Sequence, residues 1–157
     1  MARKIILHIL FIGSIAFIAN FFWESLHAVY LYRDHDISSS AYVPMMLKMS
    51  LKDSLIILGL FFFIALVKRS LDWMESRFGG PLAGFILLSL LTAAAIEWFS
   101  VTVLSRWSYL ETMPTLFGVG LSPLLQLATT GPLAVWLSKK ILYDQSLIKN
   151  ERLPDEC

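Results

Sequence analysis

Four apolar blocks, separated by polar or irregular stretches, organise the chain. The first runs from about Ile5 to Tyr32, long enough to span a bilayer with tilt. Tyr30 and Tyr32 at its end suit an interfacial aromatic belt. Arg33–Ser40 is polar and reads as a loop, with Asp34, His35 and Asp36 solvated. A metal site there is the weaker reading, because a contiguous Asp-His-Asp lacks ligand spacing. The second block covers about 45–67, with Pro44 tolerated in a first helical turn. Ser54–Val67 is almost wholly apolar but too short to cross alone. The span therefore takes in Lys48, Lys52 and Asp53. The lysines can snorkel, whereas the short Asp53 needs a partner.

Lys68–Pro81 is a charged connection ending in Gly79-Gly80-Pro81, with room for a short surface helix over Ser70–Phe78. The third block covers about 82–104, and its small middle, Thr92–Ala95, permits close helix approach. Ser105–Gly120 mixes aromatics, Arg106, Pro114 and two glycines. It is too irregular for a helix and too apolar for a solvated loop, so an ordered cap packed on the bundle is expected. Ser122 as N-cap and Pro123 in the first turn open the fourth block, about 122–142. Pro132 is expected to kink it and free a carbonyl near Thr129. The polar tail, 143–157, is expected to be partly disordered. The predicted class is all-α: an integral-membrane four-helix bundle in one domain, 1–142, with an extracytoplasmic cap between helices three and four.

Composition agrees with this pattern. Of 157 residues, 57% are hydrophobic and 16% charged, against 45–50% and about 25% in soluble domains. A net charge of +1 and the lack of a basic tract argue against nucleic-acid binding. The single cysteine, Cys157, cannot form an internal disulfide or a metal cage. The start resembles a signal peptide, but the apolar run continues past the small residues, so a retained first helix is expected. With four spans, both termini lie on one side. That side carries Arg3, Lys4, Lys68, Arg69, Arg77, Lys139, Lys140, Lys149 and Arg152; the other carries Arg33, Lys48, Lys52 and Arg106. The bias is expected to put both termini in the cytoplasm.

The polar residues inside the spans fall in one layer. Asn20, Glu24 and His27 share a face of helix one, with Trp23 beside them. Asp53, Glu97 and Gln126 fall at the same outer level on the other helices, under the Arg106–Pro114 cap. A shared polar pocket between four helices explains the layer. Three carboxyl groups this close cannot all be ionised, so at least one keeps a proton. An acid beside a base is the equipment for proton transfer to an apolar substrate, with Glu24, Glu97, Asp53 and His27 as candidate catalytic groups. Trp23, Trp98, Trp107 and Tyr109 are candidates to line the site and stabilise cationic charge, with Asn20, Arg106 and Gln126 as polar contacts. Arg106 or His27 is expected to hold a carboxylate. The competing reading is a buried network that fixes helix register. Glu24 and His27 form one Glu-x-x-His couple where di-iron bundles use two, so no metal is assigned. No cofactor motif appears. His8, near the other face, reads as structural.

The combination Asn20-x-x-Trp-Glu24, Glu97-Trp98, Arg106-Trp-x-Tyr-x-x-x-Met-Pro114 and Gly120-Leu-Ser-Pro-Leu-Leu-Gln126 resembles a group of small, uncharacterised prokaryotic four-span membrane proteins over about residues 5–142. Separately, Asn20-x-x-Trp-Glu24 is similar to a motif of integral-membrane terpene cyclases, and that likeness implies a proton-donor role for Glu24. The expectations are therefore an enzyme that cyclises or isomerises a lipid or isoprenoid, or a non-enzymatic lipid-binding protein or small subunit of a complex. The expected partner is a membrane lipid or apolar small molecule, with a homo-oligomer possible. A transporter is disfavoured because the polar groups stop at one level.

Overall fold

The computed structural model describes residues 2–33, 37–73 and 79–151, with side chains to 142. Within them run four helices: α1 (Ala2–Leu31), α2 (Ser39–Lys68), α3 (Gly80–Trp98) and α4 (Leu121–Glu151). α1, α2 and α3 with its extension to Val103 are long and apolar enough to cross a membrane. α4 does not join them by that measure, because Gln126, Thr129, Thr130 and Pro132 dilute its apolar run. Around the bundle α1 packs on α2 and on α4, α3 packs on α4, and α2 and α3 share a thinner seam than any of these.

Several boundaries move. α2 begins at Ser39, not near Pro44, because the Ser38 carbonyl accepts from the amides of Ala41 and Tyr42. The serines read as loop thus build the first turn, and Pro44 lies inside the helix. Arg69, left-handed at φ 52°, ends α2 by donating its amide to the carbonyls of Ala65 and Leu66. Of the short surface helix expected over 70–78, residues 74–78 lie outside the described residues, as do Asp34, His35 and Asp36. α4 continues through Pro132 and past Leu142 to Glu151, so the first part of the expected tail is helix. Ser122 does not cap α4; it lies in its first turn.

The core at the N-terminal end of the chain is aromatic. Trp73, from the connection, packs between Phe61 of α2 and Phe85 of α3, with ring centroids 5.6 Å from each. His8 is buried there, stacked on Phe61, with Nδ1 2.7 Å from the Lys4 carbonyl. Lys4 and Asp72 close that end with an ion pair 2.5 Å long. α4 packs tightly on α3 at Gly131, where a Cβ would meet the Phe85 ring at 3.0 Å. Of the small stretch in α3, Ala93 joins the core.

After Trp98 the helix widens into a π turn over Phe99–Val103. Leu104 donates its amide to Phe99, five residues back. Ser105 then takes φ 47°, a strained value for a non-glycine residue, and turns the chain back over the bundle. π turns and strained residues concentrate at functional sites. The segment that follows is ordered and contains a hairpin, β1 (Thr115–Leu116) and β2 (Val119–Gly120). Phe117 (φ 51°) and Gly118 (φ 80°) form its two-residue turn, both positive as a type I′ turn requires.

Candidate functional site

Gln126 is the centre of the polar layer. It is buried in the second turn of α4, and its side-chain amide nitrogen lies 3.0 Å from Asn20 Oδ1, 2.9 Å from Glu24 Oε1 and 2.8 Å from Asp53 Oδ2. One side chain thus joins α1, α2 and α4 at one level. An amide NH2 carries two hydrogens. They serve two of the three acceptors, and a proton carried by one of the two carboxyl groups completes the set. Glu24 and Asp53 themselves face each other within hydrogen-bonding reach, and two negative charges so placed away from water repel. Behind them Asn20 is fully buried. Its Nδ2 donates to the Ala16 carbonyl at 2.8 Å, and its Oδ1 also accepts from Thr130 at 3.1 Å.

A second run leads away from Glu24. Its Oε2 lies 3.1 Å from His27 Nε2, His27 Nδ1 lies 3.0 Å from Ser122 Oγ, and Trp23 donates to that hydroxyl at 3.2 Å. The roles of the ring nitrogens follow the tautomer, so the run can carry a proton either toward or away from Glu24. His27, not Arg106, is the residue that holds a carboxylate.

Glu97 lies apart from this network but lines the same cavity. Its Oε1 accepts three hydrogen bonds: from Tyr32 at 2.8 Å, Trp107 Nε1 at 3.0 Å and Tyr109 at 2.8 Å. The Tyr109 hydroxyl in turn accepts from the Gly120 amide at 2.9 Å. Burial first, then the Glu97 carboxylate, pushes the Tyr32 phenol far above its usual range. Tyr109 is also raised, by burial and Glu97 against the opposing Gly120 amide. Both phenols therefore keep the protons they donate. The backbone adds further ties: Arg33 donates its amide to Ser108, and Leu110 donates to Leu31. The cap is clamped to the end of α1, and Glu97 is one of three side-chain anchors, with Arg33 Nε donating to the Tyr109 carbonyl at 2.8 Å and Thr112 to the Tyr30 carbonyl at 2.7 Å.

Between the two networks lies a cavity of about 170 Å³. Glu24, His27, Asp53, Glu97 and Gln126 line it, together with Tyr32, Trp107, Met46 and Met49. Arg106 and Lys52 lie at its rim, both exposed. The sequence-derived set therefore divides. All four candidate acid–base groups, with Gln126, Arg106 and Trp107, meet at the cavity. Asn20 and Trp23 support it from behind, and Tyr109 anchors Glu97. Trp98 is a correction, being 54% exposed and outside the lining, because the residue after Glu97 stands about 100° further round α3. Tyr32 is another: only 8% exposed, it is a buried partner of Glu97 and not part of an interfacial belt. Ser122, Thr130 and Lys52 were not among the expected site residues. Ser122 had a visible alternative use as a cap, and the Lys52 charge had a plain explanation in snorkelling. Among the described residues, no group of three or more His, Cys, Asp or Glu side chains is disposed to hold a metal ion. Comparison of the chain with protein-family models, with curated proteins and with solved structures gives no match.

Proposed function

We propose that the protein is an integral-membrane enzyme that moves protons on and off a lipid or isoprenoid substrate, isomerising or cyclising it. The observation that carries this reading is the pair Glu24 and Asp53, held on one amide nitrogen at the wall of a cavity. The pair shares one proton. Glu24 delivers it to a substrate double bond or strained ether, leaving a cation on the substrate and a carboxylate pair behind. Tyr32 and Trp107 line the same cavity, and aromatic rings stabilise such a cation. A carboxylate, Glu97 or the pair itself, then takes a proton from a neighbouring carbon, so isomerisation consumes no net proton. When the pair is the base it regains its own proton; when Glu97 is the base, Glu97 loses its proton to water at the cavity mouth and His27, with Ser122, relays one from water to Glu24, which closes the cycle. The likeness of Asn20-x-x-Trp-Glu24 to membrane terpene cyclases supports the same role for Glu24. In this reading α4 is a fourth span, both termini are cytoplasmic, and the cavity lies near the outer leaflet.

The test compares lipid extracts of cells expressing the wild type and Glu24→Gln by mass spectrometry. The amide keeps Oε1 as an acceptor for Gln126 but has no acidic proton. A species formed with the wild type and absent with Glu24→Gln, at equal amounts of folded protein, is the expected result. Unchanged product with Glu24→Gln would remove Glu24 as the donor and leave the network as a lock between three helices.

A further inference from the structure

The cavity has a charged rim that the proton chemistry does not use. Of the residues that line it, those exposed are Lys52 on α2, Ile96 on α3 and Arg106 on the cap. The mouth therefore opens where α2 and α3 share their thin seam. Among the described residues, neither cation forms an ion pair: the Lys52 ammonium reaches the Met49 sulfur at 4.0 Å, and the Arg106 guanidinium has no hydrogen bond. Lys52 bears electrostatically on Asp53 inside the cavity, but both cations stay exposed and outside any ion pair, and from elements far apart in the chain they form a binding surface for an anion at one opening. The floor of the cavity is acidic, with Glu24, Asp53 and Glu97, so an anion is held at the rim and repelled from the interior.

Depth and size narrow the ligand further. Lys52 stands about 16 residues before the end of α2 at Lys68, or roughly 24 Å along the helix. A hydrocarbon core is about 30 Å thick, so with Lys68 at one face the long Lys52 side chain reaches the other at headgroup level. At about 170 Å³ the cavity is close in size to one that holds a benzene-sized group. It admits a segment of about six heavy atoms and no whole lipid chain.

We infer that Lys52 and Arg106 hold the phosphate of a membrane amphiphile at the mouth, while the segment next to the phosphate enters the cavity and the rest of the chain leaves along the α2–α3 seam. This deepens the enzymatic reading by naming the substrate class and rests on it for the chemistry, but the binding claim is tested separately. Purified protein in phosphatidylcholine nanodiscs is titrated with radiolabelled dihexanoyl phosphatidic acid, dihexanoyl phosphatidylcholine and inorganic phosphate. Phosphatidic acid is expected to bind at least tenfold more tightly than the other two. Lys52→Gln and Arg106→Gln are each expected to weaken it about tenfold, with unchanged thermal stability because both side chains are exposed. Glu24→Gln is expected to bind it as the wild type does. Phosphatidylcholine binding as tightly, or a double Lys52→Gln/Arg106→Gln variant within twofold of wild type, overturns the inference. Inorganic phosphate binding as tightly as the lipid overturns the lipid as the source. Loss of product with Glu24→Gln while binding persists separates failure of chemistry from failure of recognition.

Discussion

Gln126 shows how one residue can serve both architecture and chemistry. Its amide nitrogen lies within hydrogen-bonding distance of three acceptors on two other helices, one of them fully buried and two at the cavity wall. Gln126→Leu keeps the volume and removes the donor. Leaving buried acceptors without a partner costs about 1–3 kcal/mol, a large share of a total stability of 5–15 kcal/mol. We expect a clearly lower unfolding temperature in detergent for Gln126→Leu, and little change for Thr129→Val at an exposed position on the same helix. Equal unfolding temperatures would mean that the network contributes nothing to stability. The sequence placed Asn20, Glu24, Asp53 and Gln126 at one level, because a polar group in an apolar helix stands out against its neighbours. It could not say which touches which. Gln126 and Asn20 are 106 positions apart, and helical spacing constrains only partners on the same helix.

At the scale of elements, one carboxylate is the side-chain hub of the cap's attachment, beside the backbone ties and the side-chain bonds of Arg33 and Thr112. Tyr32, Trp107 and Tyr109 converge on Glu97 Oε1 from the end of α1 and from the cap itself. Glu97→Ala leaves three donors without an acceptor, whereas Glu97→Gln retains a carbonyl oxygen. Weakening the clamp by about 2 kcal/mol raises the open population up to roughly thirtyfold. Trypsin digestion at Arg106 in detergent is therefore expected to accelerate strongly for Glu97→Ala and modestly for Glu97→Gln, and equal rates for the wild type and Glu97→Ala would show that the clamp lies elsewhere. The helices were legible because their apolar runs are long. That the segment after Ser105 is ordered was legible too, from its aromatics and lack of charge. Its hairpin was not, although Phe117-Gly118 stands at its turn, because an aromatic residue is an unusual first turn residue and paired strands of two residues carry almost no periodic signal. The π turn was equally hidden, since Phe99–Val103 has an ordinary helical composition.

For the whole molecule, the two ends of the bundle differ in a way that lets its orientation be measured. Lys4 pairs with Asp72 at one end, while the cap closes over the end of α1 at the other. If the bundle crosses the membrane, these two ends face opposite sides, and the excess of Lys and Arg predicts that the first is cytoplasmic. Cys157 is the sole cysteine in the chain, so a membrane-impermeant maleimide reports on the C-terminus without background. A second reporter, Glu111→Cys in a Cys157→Ser chain, lies at an exposed position on the cap. With four spans, Cys157 is labelled only after permeabilisation and the Glu111→Cys variant is labelled in intact cells. With α4 outside the bilayer, three spans remain and the C-terminus shares the cap's side, so both sites label together. The second pattern would also remove the physical reason for burying Gln126 among acids, because α4 would then bring its polar face from water. The labelling experiment thus tests whether the Glu24–Asp53 cavity is a membrane site before any substrate is known.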